Sequence, residues 1–207
     1  MRLLIILLLT VFSATAFAQT NFGIGIGLNN SKFTGDLPKG FKYESKRGLS
    51  TTAFLDFQLS DNVQLSLRPS FAQGGGNVAI KDSLDVNEVP IEIPIGNNYL
   101  NFATLVKIYE REKIYAFVGP EVNYIFTADS EINGQKVDLS NKLNNVSLSL
   151  DIGFGLNFDM FKKPWAVEWQ LSQMLTTLTK QEDIQNGLSS RQRSSRIGIA
   201  LLYKFKR

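Results

Sequence analysis

The chain has 207 residues, with 22 Lys and Arg against 19 Asp and Glu, a formal charge of +3, and neither cysteine nor histidine. That composition excludes disulfides, thiolate nucleophiles, a lipid-bearing N-terminal Cys, Ser-His and Cys-His pairs, histidine metal sites and the commonest near-neutral general base. Basic and acidic residues are interspersed rather than gathered into blocks, so nucleic acid is not an expected partner; no cofactor is expected either.

Residues 1–18, MRLLIILLLTVFSATAFA, combine Arg2, an apolar run from Leu3 to Val11 and the small-x-small end Ala16-Phe17-Ala18. This is the layout of a cleaved secretory signal, and the run is too short to span a bilayer. The mature chain is expected to start at Gln19 and to form one domain over 19–207. No later stretch approaches the ~18 consecutive apolar residues of a membrane helix. A bilayer-spanning chain of this kind has to be a closed barrel.

Eight alternating segments follow: Phe22 to Asn29, Leu49 to Leu59, Val63 to Phe71, Leu100 to Tyr109, Ile114 to Phe126, Val146 to Met160, Trp165 to Leu175 and Ser195 to Phe205. Period-2 alternation predicts strands, and most segments have the length of a tilted membrane strand. The connections alternate too. Ser60-Asp61-Asn62, Glu110-Arg111-Glu112-Lys113 and Phe161-Lys162-Lys163-Pro164 are tight and polar, whereas 30–47, 72–99, 127–145 and 176–194 are long. In an antiparallel series all tight turns then share one end with the termini, the sorting seen in outer-membrane barrels. The fold expected is all-β, an eight-stranded antiparallel up-and-down transmembrane β-barrel.

Each segment opposes an apolar row to a polar one. In the sixth, Leu148, Leu150, Ile152, Phe154, Leu156 and Phe158 are assigned to lipid, and Ser149, Asp151, Gly153, Gly155 and Asn157 to the lumen. Phe54 breaks the pattern in the second. Because unpaired buried charges are costly, the lumen residues Asp56, Arg68, Lys107, Glu121, Asp151, Glu168, Arg196 and Lys204 are expected to form a mutually paired polar network. Heights counted from the tight turns place Glu168 close to Lys204. Aromatics gather at two levels: Phe57, Phe158, Trp165, Tyr203 and Phe205 at the tight-turn rim, and Phe71, Tyr124 and Phe126 at the long-loop rim.

The stretches FGIGIGLNNSKFTGD, RGLSTTAFLDFQLSDNVQLSLRPSFAQGGG, YLNFATLVKIYEREKIYAFVGPEVNYIF and IGIALLYKF resemble the PorT-like outer-membrane β-barrel family of Gram-negative bacteria. The resemblance covers nearly all of the mature chain as a pattern of strands, turns and glycines. It implies a small barrel in the outer membrane, with a name that comes from a member tied to protein secretion. It supplies no catalytic residue. Lys206 and Arg207 after Phe205 depart from the aromatic end common among outer-membrane barrels.

Two chemical readings carry less weight. Gly23, Gly25 and Gly27 alternate with Ile24, Ile26 and Leu28 inside a strand, so they form a small lumen-facing row rather than a dinucleotide turn. Glu121, Asp151 and Glu168 fall on separate strands among basic partners, which favours ion pairs over an acid/base pair. In the second long loop, Val89, Ile91, Ile93 and Ile95 alternate out of phase with Leu100, Phe102 and Thr104. That phase change predicts a bulge or a separate ribbon, either a candidate partner-binding edge or an ordered cap on the barrel mouth. Lys32, Lys39, Lys42 and Lys46 of the first long loop suit lipopolysaccharide phosphate.

The function expected is that of a non-enzymatic outer-membrane barrel, its wall against outer-membrane lipid, with a structural or protein-binding role at its extracellular loops. The alternatives are a small channel or a subunit of a secretion or surface-export assembly, and a soluble periplasmic lipocalin-like binder.

Overall fold

The computed structural model describes residues 20–35, 41–80, 91–111, 113–132, 135–140, 143–178 and 192–205. The expected signal segment at residues 1–18, together with Lys39, Val89, Lys206 and Arg207, lies outside them. The strands are β1 (Thr20–Thr34), β2 (Phe41–Ser60), β3 (Val63–Ile80), β4 (Ile91–Glu110), β5 (Ile114–Ile132), β6 (Gln135–Asp138), β7 (Val146–Met160), β8 (Lys163–Met174) and β9 (Arg193–Phe205).

All pairings are antiparallel, and β1 with β9 completes a ring of eight strands from which, among the described residues, only β6 is left out. The four-residue β6 pairs with the end of β5 beyond Ala128. At the tight-turn end Ser60 faces Val63 and Met160 faces Lys163, leaving two-residue turns. In the second of these Phe161 and Lys162 take φ of 54° and 59°, the left-handed pair whose twist suits a hairpin. The turn is therefore shorter than expected, and Lys163 and Pro164 belong to β8.

The apolar rows face outward. Ile24, Ile26, Leu28, Leu49, Leu55, Leu100, Phe102, Ile108, Leu150, Ile152, Phe154 and Ile199 are exposed, while Asp56, Arg68, Lys107, Glu121, Asp151 and Glu168 are buried within the ring. A water-soluble barrel requires the opposite arrangement, so the lipocalin-like alternative fails on this point. Leu49 to Leu59 spans ten residue steps, and at about 3.3 Å each on a ~40° tilt this apolar band is about 25 Å tall.

Above that band the faces exchange roles. On β1 the outward row runs Phe22, Ile24, Ile26, Leu28 and then Asn30 and Lys32, while the inward row passes from glycines through Asn29 and Ser31 to the buried Phe33. On β4 pairing with β3 continues without a shift from Ile108 to Ile91. Leu100 and Phe102 point outward, and Ile95 packs inward against a cluster of Phe33, Tyr43, Tyr99, Ile125, Ala128, Met174 and Leu178. The predicted separate ribbon is thus the upper part of β4, and no bulge interrupts it against β3. The periodicity changes phase because apolar side chains face lipid below and the barrel axis above. One extra residue, Phe126, does sit on β5 opposite the Asn98–Tyr99 step.

Candidate functional site: the polar lumen and its cap

Alternation on eight closed strands sends one side chain in two into a narrow interior, where volume and charge both have to balance. Nearest the tight turns, Tyr109 Oη donates to Gln64 Oε1 at 2.9 Å and Lys204 Nζ donates to Asn157 Oδ1 at 2.8 Å. The next layer holds Lys107 Nζ at 2.6 Å from Asp56 Oδ2, with Lys107 stacked 5.3 Å from the ring centres of both Phe54 and Tyr115. Above it Arg68 grips Glu168 with two nitrogens, at 2.5 and 2.7 Å, and donates through Nε to Ser66 Oγ at 3.0 Å. Tyr115 Oη donates to the same carboxylate. Higher still, Arg196 reaches both oxygens of Glu121 at 2.7 and 3.0 Å, Ser172 donates to Glu121, and Gln170 donates to Asp151 Oδ2 at 2.8 Å.

All eight residues proposed for the network therefore face the interior, and six of them form three ion pairs. The similar heights expected of Glu168 and Lys204 are not found. Glu168 stands opposite Ala200, four residues up β9 from Lys204, and binds Arg68 of β3 across the lumen. Heights counted from the turns neglect the stagger that tilted strands require for closure.

Three aromatics complete the filling: Phe54, which breaks the polar row of its strand, and Tyr115 and Phe117, which the sequence reading did not place inside. Gly23 stands opposite Phe54, Gly153 opposite Phe117, and Gly155 opposite Tyr115. A Cβ at any of these glycines would collide with the facing ring. The glycines thus admit large aromatics to a lumen that has no other room for them, and Arg68 lies 5.2 Å from the Phe117 ring centre. Their signal was present in the sequence, since Tyr115 and Phe117 are in phase with Glu121 on β5.

Between the Arg68–Glu168 and Arg196–Glu121 pairs is a cavity of about 60 Å³, and a second of about 10 Å³ lies beside Ser31, Tyr99 and Asn123. Those volumes suit a few waters. The apolar cluster closes the mouth above, joined by Leu139 and Leu143 from the β6–β7 connection. Backbone bonds hold this cap: Leu139 N–H to Ala128 O, Asn144 N–H to Leu178 O, and Leu178 N–H to Gln192 O. On its exposed edge the Ser140 hydroxyl and N–H keep the Asp138 carboxyl below its ordinary range.

Of the candidate partner-binding row, Val89 is outside the described residues and only the backbone of Ile91 is described. Ile93 and Ile95 are half-buried, and Ile95 belongs to the cap. At Ile95 β4 is paired on both sides, with Gly76 and Ser130, whereas among the described residues Ile93 pairs with Val78 of β3 alone. Lys32 and Lys42 are exposed and Lys46 is half-buried.

The family model for the outer membrane protein beta-barrel domain matches residues 4–205. Among solved structures, Neisserial surface protein A matches with a TM-score of 0.54 at 10% identity, over 90% of this chain and 99% of that one. Ail of Yersinia pestis matches with a TM-score of 0.47 at 15% identity, over 90% and 99%. OprG of Pseudomonas aeruginosa matches with 0.46 at 14%, over 92% and 98%. No curated protein matches the sequence. With an outward apolar band, a closed antiparallel ring and a family match over nearly its whole length, the chain belongs to the outer membrane protein beta-barrel domain family.

Proposed function

We propose that this is a non-conducting, non-enzymatic barrel of a Gram-negative outer membrane, delivered there by cleavage of residues 1–18 and acting through its extracellular end as a structural or partner-binding component. The observation that carries this reading is the continuous filling of the lumen. Three interior ion pairs and four aromatics occupy the membrane-level half, and an apolar cap occupies the mouth. Each carboxylate of the Arg–Glu pairs is held by its guanidinium, so neither is free to act as a general base. The resemblance to PorT-like barrels supports a place within a secretion or surface-export assembly as the finer form of this role.

The second reading, a small gated channel, draws on the cavity of about 60 Å³ between the two Arg–Glu pairs. Single-channel recording in planar bilayers tests the choice. The filled lumen predicts a flat baseline for the purified protein. Steady, ion-selective openings that change selectivity in Arg68→Ala/Glu168→Ala would establish the channel instead.

A further inference from the structure

We propose that the outer wall from β9 through β1 and β2 to β3 is a binding site for the phosphorylated glycolipid of the outer leaflet, with Arg193, Lys32 and Arg47 on β9, β1 and β2 holding phosphate above an acyl-chain groove on β1, β2 and β3. Lys32 stands opposite Ser195, Thr34 opposite Arg193 and Asn30 opposite Arg47. Arg193 and Arg47 are therefore the two diagonal neighbours of Lys32, at about 7–8 Å along the sheet. All three are exposed, and among the described residues none enters an ion pair. The acidic residues on these strands are Glu44, half-buried and nearer the loops, and Asp56, buried in the lumen.

Position gives the cluster its meaning. Below it on the same rows, past Asn30 and Ser195, come the exposed Ile197, Leu28 and Leu49, where the wall turns apolar. The cations thus stand at the headgroup level of the long-loop side, and cations at that level draw anionic lipid. Below Leu49 a groove of about 580 Å³ opens on the wall. The small side chains Thr51, Ala53 and Pro69 floor it between Ile24 and Ile26 on one side and Phe71 on the other. A chain lying there would run up β2 to Arg47. Phosphate at one end and acyl chain along the other match one molecule, and the outer leaflet of a Gram-negative outer membrane supplies it as lipid A.

Native mass spectrometry of the purified full chain titrated with lipid A tests this, with phosphatidylglycerol and dephosphorylated lipid A as parallel probes. The wild type is expected to hold one lipid A in preference to both. Lys32→Gln/Arg47→Gln/Arg193→Gln should weaken it on the order of 100-fold, and Ala53→Leu, which fills the groove and leaves the charges in place, should weaken it less. The charge-matched Lys113→Gln/Lys136→Gln/Lys162→Gln should not. Far-UV circular dichroism confirms that each variant folds. Equal binding by the two triple variants, or equal binding of phosphatidylglycerol or dephosphorylated lipid A, would overturn the proposal.

Discussion

At Glu168 three donor atoms converge on one carboxylate, two from Arg68 and one from Tyr115. Removing one partner leaves the other charge buried and unpaired, a change worth about 3–5 kcal/mol, whereas replacing both by apolar groups of similar volume is often close to neutral. Glu168→Ala and Arg68→Ala are each expected to lower unfolding stability by about that amount in detergent, with Arg68→Met/Glu168→Leu recovering most of it; equal losses in all three would show that packing matters more than charge. Gly155 offers a second test. A Val there would push into the Tyr115 ring and draw its hydroxyl from Glu168. Overpacking of this kind costs about 1–3 kcal/mol. Urea titration should show that loss for Gly155→Val and its partial recovery when Tyr115→Ala is added. The identities of the lumen residues were legible in the sequence because facing follows from period 2. Their pairing was not, since Arg68 meets Glu168 across a ring whose stagger no single strand reveals.

Among the elements, β7 was fully legible, from Val146 to Met160, because its apolar row stays on one face throughout. β1 to β5 were all read short, β2 at its start before Leu49 and β5 at its end after Phe126. Beyond Asn29, Phe71 and before Leu100 the apolar side changes from outward to inward or is lost to glycine, and a search for one unbroken row stops there. β7 also supplies the clearest contrast between faces. Leu150→Arg places a cation on the lipid side, at a cost of about 2–4 kcal/mol near the bilayer midplane. Ser149→Ala removes only the acceptor of Asn123 Nδ2, 2.8 Å away, a loss of about 1 kcal/mol. Refolding yields into liposomes should fall sharply for the first and slightly for the second; the reverse order would require the barrel to be turned inside out.

For the molecule as a whole, the same eight strands solve two solvent problems in succession. Where lipid surrounds the ring, the interior is ionic and the wall apolar; where water surrounds it, the wall is charged and the interior holds Phe33, Tyr43, Ile125 and Met174. Closure satisfies the backbone at membrane level, since a ring has no free edge, and above it β2, β3 and β4 continue as one ribbon and β5 with β6 as another. The most direct measurement of this arrangement is a nitroxide scan along β4, made simple by a chain without cysteine. Single labels from 93 to 108 in lipid vesicles would be read for collision with oxygen, which concentrates in lipid, and with a water-soluble nickel chelate. The structure predicts oxygen access at Leu100, Phe102, Val106 and Ile108, and little access for either reagent at Ile95, Tyr99, Asn101, Ala103 and Lys107. Oxygen access at the odd-numbered positions, or the nickel chelate reaching Asn101 and Ala103, would contradict the filled, lipid-facing barrel described here.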